Sequence, residues 1–194
     1  ASHTLLQPAE GTVGYTLTED TVIDGNLWLI DGCLDLNGHN LTVKGNLYAE
    51  AGTIAVQNGH LTVEGDLRIQ GYREVNGTEY FSTGSGVFTM GEQGCITIGG
   101  SLYEQYSNNL LRSIPAGRVE LAGDLYSYSD SFSLGVNCAL ILNGSEEQQI
   151  NSQKGTLGIG ILDIQNRKRV QFNGAVQVNT TLSDSGCPKE GVLQ

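Results

Sequence analysis

Basic residues are scarce in this sequence: ten Lys and Arg stand against 21 Asp and Glu, which gives a formal net charge of −11. A nucleic-acid-binding protein neutralises phosphates with clustered Lys and Arg. The sequence has one basic run, Arg167-Lys168-Arg169, within an acidic chain. We therefore expect no nucleic-acid partner, and the same acidic balance disfavours an anionic membrane surface.

Long apolar runs are also missing. No stretch approaches the roughly 18 apolar residues of a membrane-spanning helix, so we expect no insertion into a membrane. The sequence does not open with the charged, apolar and small-residue regions of a signal peptide. Ala1-Ser2 is typical of a cloning scar, and we expect flanking domains of a larger protein.

Metal-binding patterns are absent as well. The cysteines have no CxxC spacing, which leaves zinc binding unsupported. The sequence contains no Asp-x-Asp-x-Asp loop of the kind that binds calcium. His39 and His60 have no third metal ligand near them in the sequence. We expect no metal, no cofactor and no set of catalytic residues. Whether the cysteines pair stays open, with free or partly buried thiols favoured. The cysteines are Cys33, Cys95, Cys138 and Cys187.

Glycine is abundant, with 27 residues against three Pro and one Met. It has no strict third-residue period, which excludes collagen. Instead it recurs in the phrase Gly-Asn/Asp-Leu at a spacing of twenty residues, which indicates a repeat architecture. The phrase occurs at 25–27, 45–47, 65–67 and, further on, 123–125, with a variant, Gly-Ser-Leu, at 100–102.

Between these phrases, apolar residues alternate with polar ones in short triplets. The triplets recur at steps of seven, seven and six residues, and a period of two is typical of a half-buried strand. They are Leu27/Leu29, Leu34/Leu36, Leu41/Val43, Leu47/Ala49, Ile54/Val56, Leu61/Val63 and Leu67/Ile69. The pattern predicts an all-β fold: a single-stranded, three-sided parallel β-helix (β-solenoid) with about 20 residues per coil. We expect it to be right-handed, and we name its strand stacks A (from Leu27), B (from Leu34) and C (from Leu41).

A single β-helix domain is expected over residues 1–182, followed by a tail or linker at 183–194. Residues 1–20 match the repeat poorly and are interpreted as an N-terminal cap, because an open solenoid end exposes strand edges. Regular coils are expected over 21–145, and less regular C-terminal coils over 150–182. Insertions are expected at 70–86, 105–117 and 128–133, all at the corner between stacks A and B.

Two segments resemble repeats of large bacterial surface and secreted β-helix proteins of the adhesin and haemagglutinin type. One is the run from Leu36-Asn37-Gly38 to Gly45-Asn46-Leu47, and the other begins at Leu140-Ile141-Leu142-Asn143-Gly144 and reaches Val178. The resemblance covers about residues 20–182. It implies a β-helix in an extracellular, secreted or cell-surface setting, and it implies no catalytic residue.

Aromatic residues mark the candidate ligand-binding surface. Insertions at one corner of successive coils form one surface, which in solenoids is often the binding surface. Stack A also presents an outward row beside it, formed by Trp28, Tyr48, Arg68, Tyr103 and Tyr126. The candidate ligand-binding residues are Tyr72, Tyr80, Phe81, Tyr103, Tyr106, Tyr126, Tyr128, Trp28 and Tyr48. The alternative is that these aromatics pack the loops onto the coils and form a stabilising ladder.

Three functions are therefore open. The leading hypothesis is a non-catalytic extracellular module that acts in adhesion or as a rigid spacer. The second is a carbohydrate-binding module for a polysaccharide or a host or cell-surface glycan. The third is a polysaccharide lyase or hydrolase of β-helix type, with Asp31, Asp35, Glu74 and Glu79 as its acids, although sugar cleavage needs two carboxylates held across a cleft.

Overall fold

A computed structural model describes residues 3–6, 14–106, 112–130 and 132–185 of the chain. These residues form strands and turns with no helix. The strands are β1 (His3–Leu6), β2 (Gly14–Thr16), β3 (Thr21–Ile23), β4 (Asn26–Leu29), β5 (Cys33–Asp35), β6 (Asn40–Val43), β7 (Leu47–Ala49), β8 (Thr53–Gln57), β9 (His60–Val63), β10 (Leu67–Ile69), β11 (Gly71–Val75), β12 (Thr78–Ser82), β13 (Val87–Met90), β14 (Cys95–Ile98), β15 (Leu102–Glu104), β16 (Arg112–Leu121), β17 (Leu125–Ser127), β18 (Phe132–Leu142), β19 (Gln148–Ile164) and β20 (Val170–Asp184).

The strands pair in parallel from coil to coil. Stack A runs through β1, β4, β7, β10, β15, β17 and β19, stack C runs through β3, β6, β9, β14, β16, β18 and β19, and stack B runs through β2, β5, β8 and β13. The long last strand, β20, pairs in parallel with β19. About eight turns are stacked, with equivalent residues about 21 apart. The β-solenoid is thus confirmed, whereas its three-sided cross-section and its right-handedness stay predictions.

The two predicted core columns are both present. Paired strands bring the Leu residues of stack A into register, and they bring Leu41, Leu61, Ile96, Val119 and Leu140 into register in stack C. Every member is at most 1% exposed. The alternation of the sequence explains this, because successive side chains of a strand point to opposite sides. The stack A column consists of Leu27, Leu47, Leu67, Leu102 and Leu125.

A ladder of polar side chains joins the corners before stack A. The backbone N–H of Asn46 donates to Asn26 Oδ1 at 2.7 Å, and that of Asp66 donates to Asn46 Oδ1 at 2.8 Å. Ser101 and Asp124 continue the ladder at 2.8 and 3.0 Å. The repeat predicts Ser145 as the next member, but the backbone N–H of Gln149 occupies that position and donates to Asp124 Oδ1 at 2.8 Å. This coil has a longer corner, which moves the register by four residues.

The first expected insertion is a β-hairpin that leaves the stack. Strands β11 and β12 pair only with each other, and the turn between them is Asn76-Gly77, with φ of 51° and 77°. Two positive φ values suit an Asn-Gly pair, which closes two-residue hairpins with the twist of the flanking strands.

Parts of the other two segments expected as insertions lie in long strands. Residues 112–117 lie in β16, and residues 132–133 lie in β18. Arg112 to Ile114 pair with Phe132 to Leu134, and both Ile114 and Leu134 are 1% exposed. These segments are therefore part of the coils: each continues past a glycine, Gly117 or Gly135, in the same long strand that also pairs in stack C. Residues 107–111 and 131 lie outside the described residues.

Strands are also present at both ends of the domain. Residues 3–6 and 14–16, expected within an N-terminal cap, already form strands that pair in parallel with β4 and β5. At the other end β20 continues to Asp184, into the expected tail. The rest of that tail, residues 186–194, lies outside the described part of the chain.

Candidate functional site

The predicted outward row on stack A exists. Trp28 pairs with Tyr48, Tyr48 with Arg68, and Arg68 with Tyr103. Tyr103 pairs in turn with Tyr126. These side chains stand one above another because each strand adds directly onto the previous one.

The hairpin of β11 and β12 covers the first half of this row. The ring of Tyr72 stacks on that of Tyr48, with centroids 4.0 Å apart and planes 11° apart, and it meets Trp28 edge-on at 5.2 Å. Tyr48 is 0% exposed and Tyr72 is 2% exposed. These two rings therefore form a small second core between the hairpin and the coils, and their faces are closed to a ligand on the surface.

The polar atoms of this second core are satisfied by glutamates. The Tyr48 hydroxyl donates to Glu79 Oε1 at 3.0 Å, and the Tyr72 hydroxyl lies 3.2 Å from the same oxygen and 3.1 Å from Glu74 Oε2. Trp28 Nε1 donates to Glu50 Oε2 at 2.7 Å. Burial raises the pKa of both phenols, and the neighbouring Tyr48 and Glu74 raise the pKa of Tyr72 further. Both phenols therefore stay protonated, as hydrogen-bond donors to a carboxylate must.

Arg68 lies at the end of the half of the row that the hairpin covers. Its guanidinium carbon lies 3.8 Å from the centroid of Phe81, on the hairpin, and 3.7 Å from that of Tyr103, on the stack. A guanidinium at this distance from a ring face is held by cation–π attraction. Arg68 also approaches Asp66 at 3.8 Å and donates to Gln70 Oε1 at 3.2 Å. The side chain joins hairpin and stack, and it occupies one face of Tyr103.

The second half of the row is a pile of parallel rings. Tyr103 and Tyr126 stack at 4.9 Å with planes 8° apart, and Tyr128 lies parallel to Tyr126 at 6.4 Å. Burial raises the pKa of both Tyr103 and Tyr126. The rings thus turn their faces towards one another along the stack. The Tyr126 hydroxyl donates to Asp124 Oδ2 at 3.3 Å.

The remaining candidates lie apart from the row. Tyr106 is 6% exposed, donates its hydroxyl to the carbonyl of Gly86 at 2.8 Å and packs 6.1 Å from Phe132. Tyr80 is 57% exposed on the outer face of the hairpin, where it pairs with Arg73. Of the predicted ligand-binding residues, Tyr80 and Tyr128 are therefore the most accessible, the latter at 37%.

One polar cluster is not foreseen from the sequence. Glu104 is fully buried, and its carboxylate accepts the hydroxyls of Ser127 and Ser129 and the backbone N–H of Ser129 at 3.1 Å. Burial raises the pKa of Glu104, and the hydrogen bonds from Ser127 and Ser129 oppose that shift. The sequence signal for this cluster is a change of residue type within one column of stack A. Glu104 pairs with Ile69, so an acid stands where the previous coil places an apolar side chain.

The acids proposed for an enzyme are engaged in local hydrogen bonds. Asp31 and Asp35 accept backbone N–H groups of their own turns, at 2.7 and 2.8 Å. Glu74 and Glu79 face each other across the hairpin and accept the phenols described above.

The cysteines and possible metal ligands are dispersed. Cys33, Cys95 and Cys138 are free thiols, as expected, and Cys187 lies outside the described residues. Burial raises the pKa of Cys33 and Cys95, and it raises the pKa of Cys138 to about 12, so none of these thiols is activated as a nucleophile. In the part of the chain that the structure describes, no three or more His, Cys, Asp and Glu side chains gather as a metal site.

Among the described residues, no helix is long and apolar enough to cross a membrane. Comparison with protein families, with curated proteins and with solved structures gave no match. The resemblance to adhesin- and haemagglutinin-type repeats therefore stays a prediction from the sequence.

Proposed function

We propose that this β-solenoid is a non-catalytic module of a larger extracellular bacterial protein, such as an adhesin. In that protein it acts as a rigid spacer. The observation that carries the proposal is that the aromatic row is packed against other side chains. From Trp28 to Tyr126, ring faces lie against other rings or against the Arg68 guanidinium, so the conspicuous aromatics serve the internal packing of the domain. The bacterial and extracellular setting rests on the sequence resemblance.

Rigidity is supported by the continuity of the contacts. Every coil is hydrogen-bonded to the next in stacks A and C, and the corner ladder from Asn26 to Asp124 adds a side-chain bond at each step. A single coil cannot bury its apolar side, so the coils are stable only as a stack. A domain of this kind holds its two ends at a fixed separation.

A distance measurement tests the spacer directly. Val22 and Asp163 stand in one outward column of stack C, six paired strands apart, which places their backbones about 29 Å apart. Spin labels at Val22→Cys and Asp163→Cys, with Cys33 and Cys187 replaced by Ser and the protein diluted with unlabelled chain, should give one narrow distance distribution. A broad or multiple distribution would contradict a rigid spacer.

The second candidate is carbohydrate binding at the exposed aromatics. It is favoured by Tyr80 and Tyr128, which are 57% and 37% exposed and lie outside the second core. Amphipathic rings of this kind stack on the apolar faces of sugars and hydrogen-bond to their rims. A polysaccharide pull-down with the whole domain, with Tyr80→Ala and Tyr128→Ala, and with Val136→Ala as the exposed control, tests it. If the polysaccharide retains the wild type and Val136→Ala but retains Tyr80→Ala and Tyr128→Ala less, the binding function is established.

A further inference from the structure

The dipeptide Asn-Gly occurs five times in the chain, at 37–38, 58–59, 76–77, 143–144 and 173–174. In this dipeptide the backbone nitrogen of the glycine can attack the side-chain amide carbon of the asparagine, because glycine has no side chain to shield that nitrogen. The reaction needs an asparagine side chain that is free to turn and a glycine N–H that is not held in a hydrogen bond. The fold therefore decides which of the five pairs reacts.

In two of the pairs the glycine N–H is engaged. The N–H of Gly59 donates to the carbonyl of Val56 at 2.8 Å, and that of Gly144 donates to Gln148 Oε1 at 2.8 Å. Both glycines are buried. A nitrogen that donates a hydrogen bond inside the fold is not available to attack a neighbouring side chain.

In two further pairs the asparagine side chain is held. Asn37 Nδ2 donates to the carbonyl of Leu17 at 3.2 Å, and Asn173 Nδ2 donates to Asn151 Oδ1 at 2.7 Å. Each bond fixes the amide against the neighbouring coil. The side chain has to break this contact before it can turn towards the glycine.

The pair Asn76-Gly77 differs from the other four. Both residues are exposed at the tip of the hairpin, beyond the last ladder pair, Val75 and Thr78. Among the described residues, neither the Asn76 side chain nor the Gly77 N–H has a hydrogen-bond partner. A side-chain carbon placed on Gly77 would meet no atom within 4 Å. The Asn76 amide can therefore turn towards the Gly77 nitrogen without losing a contact.

We infer that Asn76 is a site of spontaneous covalent modification, at which the side-chain amide is converted into a carboxylate. The Gly77 nitrogen loses its proton and bonds to Cγ of Asn76, the bond from Cγ to Nδ2 breaks, and ammonia leaves. Water then opens the resulting cyclic imide at either of its carbonyl groups. One opening gives Asp, and the other gives isoaspartate, whose main chain passes through the former side chain and is one carbon longer.

The two products act differently on the hairpin. Asp-Gly closes two-residue hairpins as Asn-Gly does, so the Asp product keeps the turn. Isoaspartate adds a main-chain carbon between Val75 and Thr78 and disturbs their pairing. Because the hairpin holds Tyr72 over Tyr48, isoaspartate at its tip loosens the cover of the second core. This inference does not depend on the spacer function, since it concerns only the chemistry of the hairpin.

Peptide mapping by mass spectrometry tests the site, with the protein incubated at mildly alkaline pH. The replacement of amide by carboxyl should proceed several-fold faster at Asn76 than at the other four pairs of the folded chain. In urea the five rates should become similar, because the dipeptide alone then determines them. Asn37→Gly is the matched control and should leave the rate at Asn76 unchanged. Equal rates at all five pairs of the folded chain, or a faster reaction at any other pair, would overturn the inference.

Hydrogen exchange tests the effect on the hairpin. The isoaspartate fraction of the incubated wild type should lose protection over residues 71–82, whereas freshly prepared Asn76→Asp, which carries the charge without the longer main chain, should keep it. Incubated Asn76→Gly cannot form the imide and should also stay protected. Unchanged protection in the isoaspartate fraction, or an equal loss in Asn76→Asp, would contradict the proposed loosening.

Discussion

Tyr72 of the hairpin lies flat against Tyr48 of stack A, with ring centroids 4.0 Å apart and both side chains almost completely buried. This contact joins a segment outside the coils to the coils themselves. Aromatic residues of the kind that form recognition surfaces therefore lie inside a second core, where they serve packing. The stability of the domain therefore has two parts, the apolar columns within the coils and the aromatic contacts beneath the hairpin.

The apolar columns predict a large cost for removing one of their members. Leu61→Ala should lower the free energy of unfolding by about 2–5 kcal/mol, because Leu61 is fully buried between its partners Leu41 and Ile96 and leaves a cavity. Urea denaturation measures the change. Val22→Ala, at a 58% exposed position, should stay within about 0.5 kcal/mol, and an equal loss in both variants would mean that the column is not the core.

The corner ladder predicts a separate, polar contribution. Asn46→Ala removes the acceptor of the Asp66 backbone N–H and should cost about 1–3 kcal/mol, because a part-buried donor loses its partner. Asn46→Asp keeps a side-chain oxygen, as the natural Asp66 does in the next coil, but it loses the hydrogen bond that Asn46 Nδ2 donates to the Tyr48 hydroxyl at 3.3 Å. It should therefore recover the part of the loss that comes from the ladder. If the Asp variant were as unstable as the Ala variant, the ladder would not be the cause.

Glu104 predicts a pH dependence with a definite sign. Burial raises the pKa of this carboxyl in the folded chain above its value in the unfolded chain. Between those two pKa values the folded state binds more protons, so the contribution of Glu104 to stability grows as the pH falls through this window. Above the raised pKa the folded state holds a buried charge, and the contribution is unfavourable there.

Urea denaturation at a series of pH values measures this effect. The difference in the free energy of unfolding between Glu104→Gln and the wild type should be largest above the raised pKa and should shrink as the pH falls into the window. Glu147→Gln, at an exposed position, is the control and should show a small, constant difference. A constant difference for Glu104→Gln would show that its carboxyl titrates alike in both states.

The coils are predictable from sequence because their cause is local. A Leu-x-Leu triplet fixes which side chains point inward, and the Gly-Asn/Asp-Leu phrase fixes the corner, so the pairing of Leu27 with Leu47 follows from the sequence alone. The contact between Tyr72 and Tyr48 does not, because it depends on how the hairpin folds back over a surface. A shift of register is also hidden in the sequence: Gln149 takes the position expected for Ser145, since the coil before it has a longer corner.

The assignment of the aromatic residues to packing is tested most directly by the melting temperatures of two variants of the same hairpin. Tyr72 faces the stack and is 2% exposed, whereas Tyr80 faces solvent and is 57% exposed. Tyr72→Ala should lower the melting temperature by on the order of 5–10 °C, from the loss of a buried aromatic, and Tyr80→Ala should change it by less than about 2 °C. The contrary result is that both variants have the melting temperature of the wild type and that Tyr72→Ala is no longer retained on a polysaccharide. The aromatic row would then be a binding surface, and the structural account would be wrong.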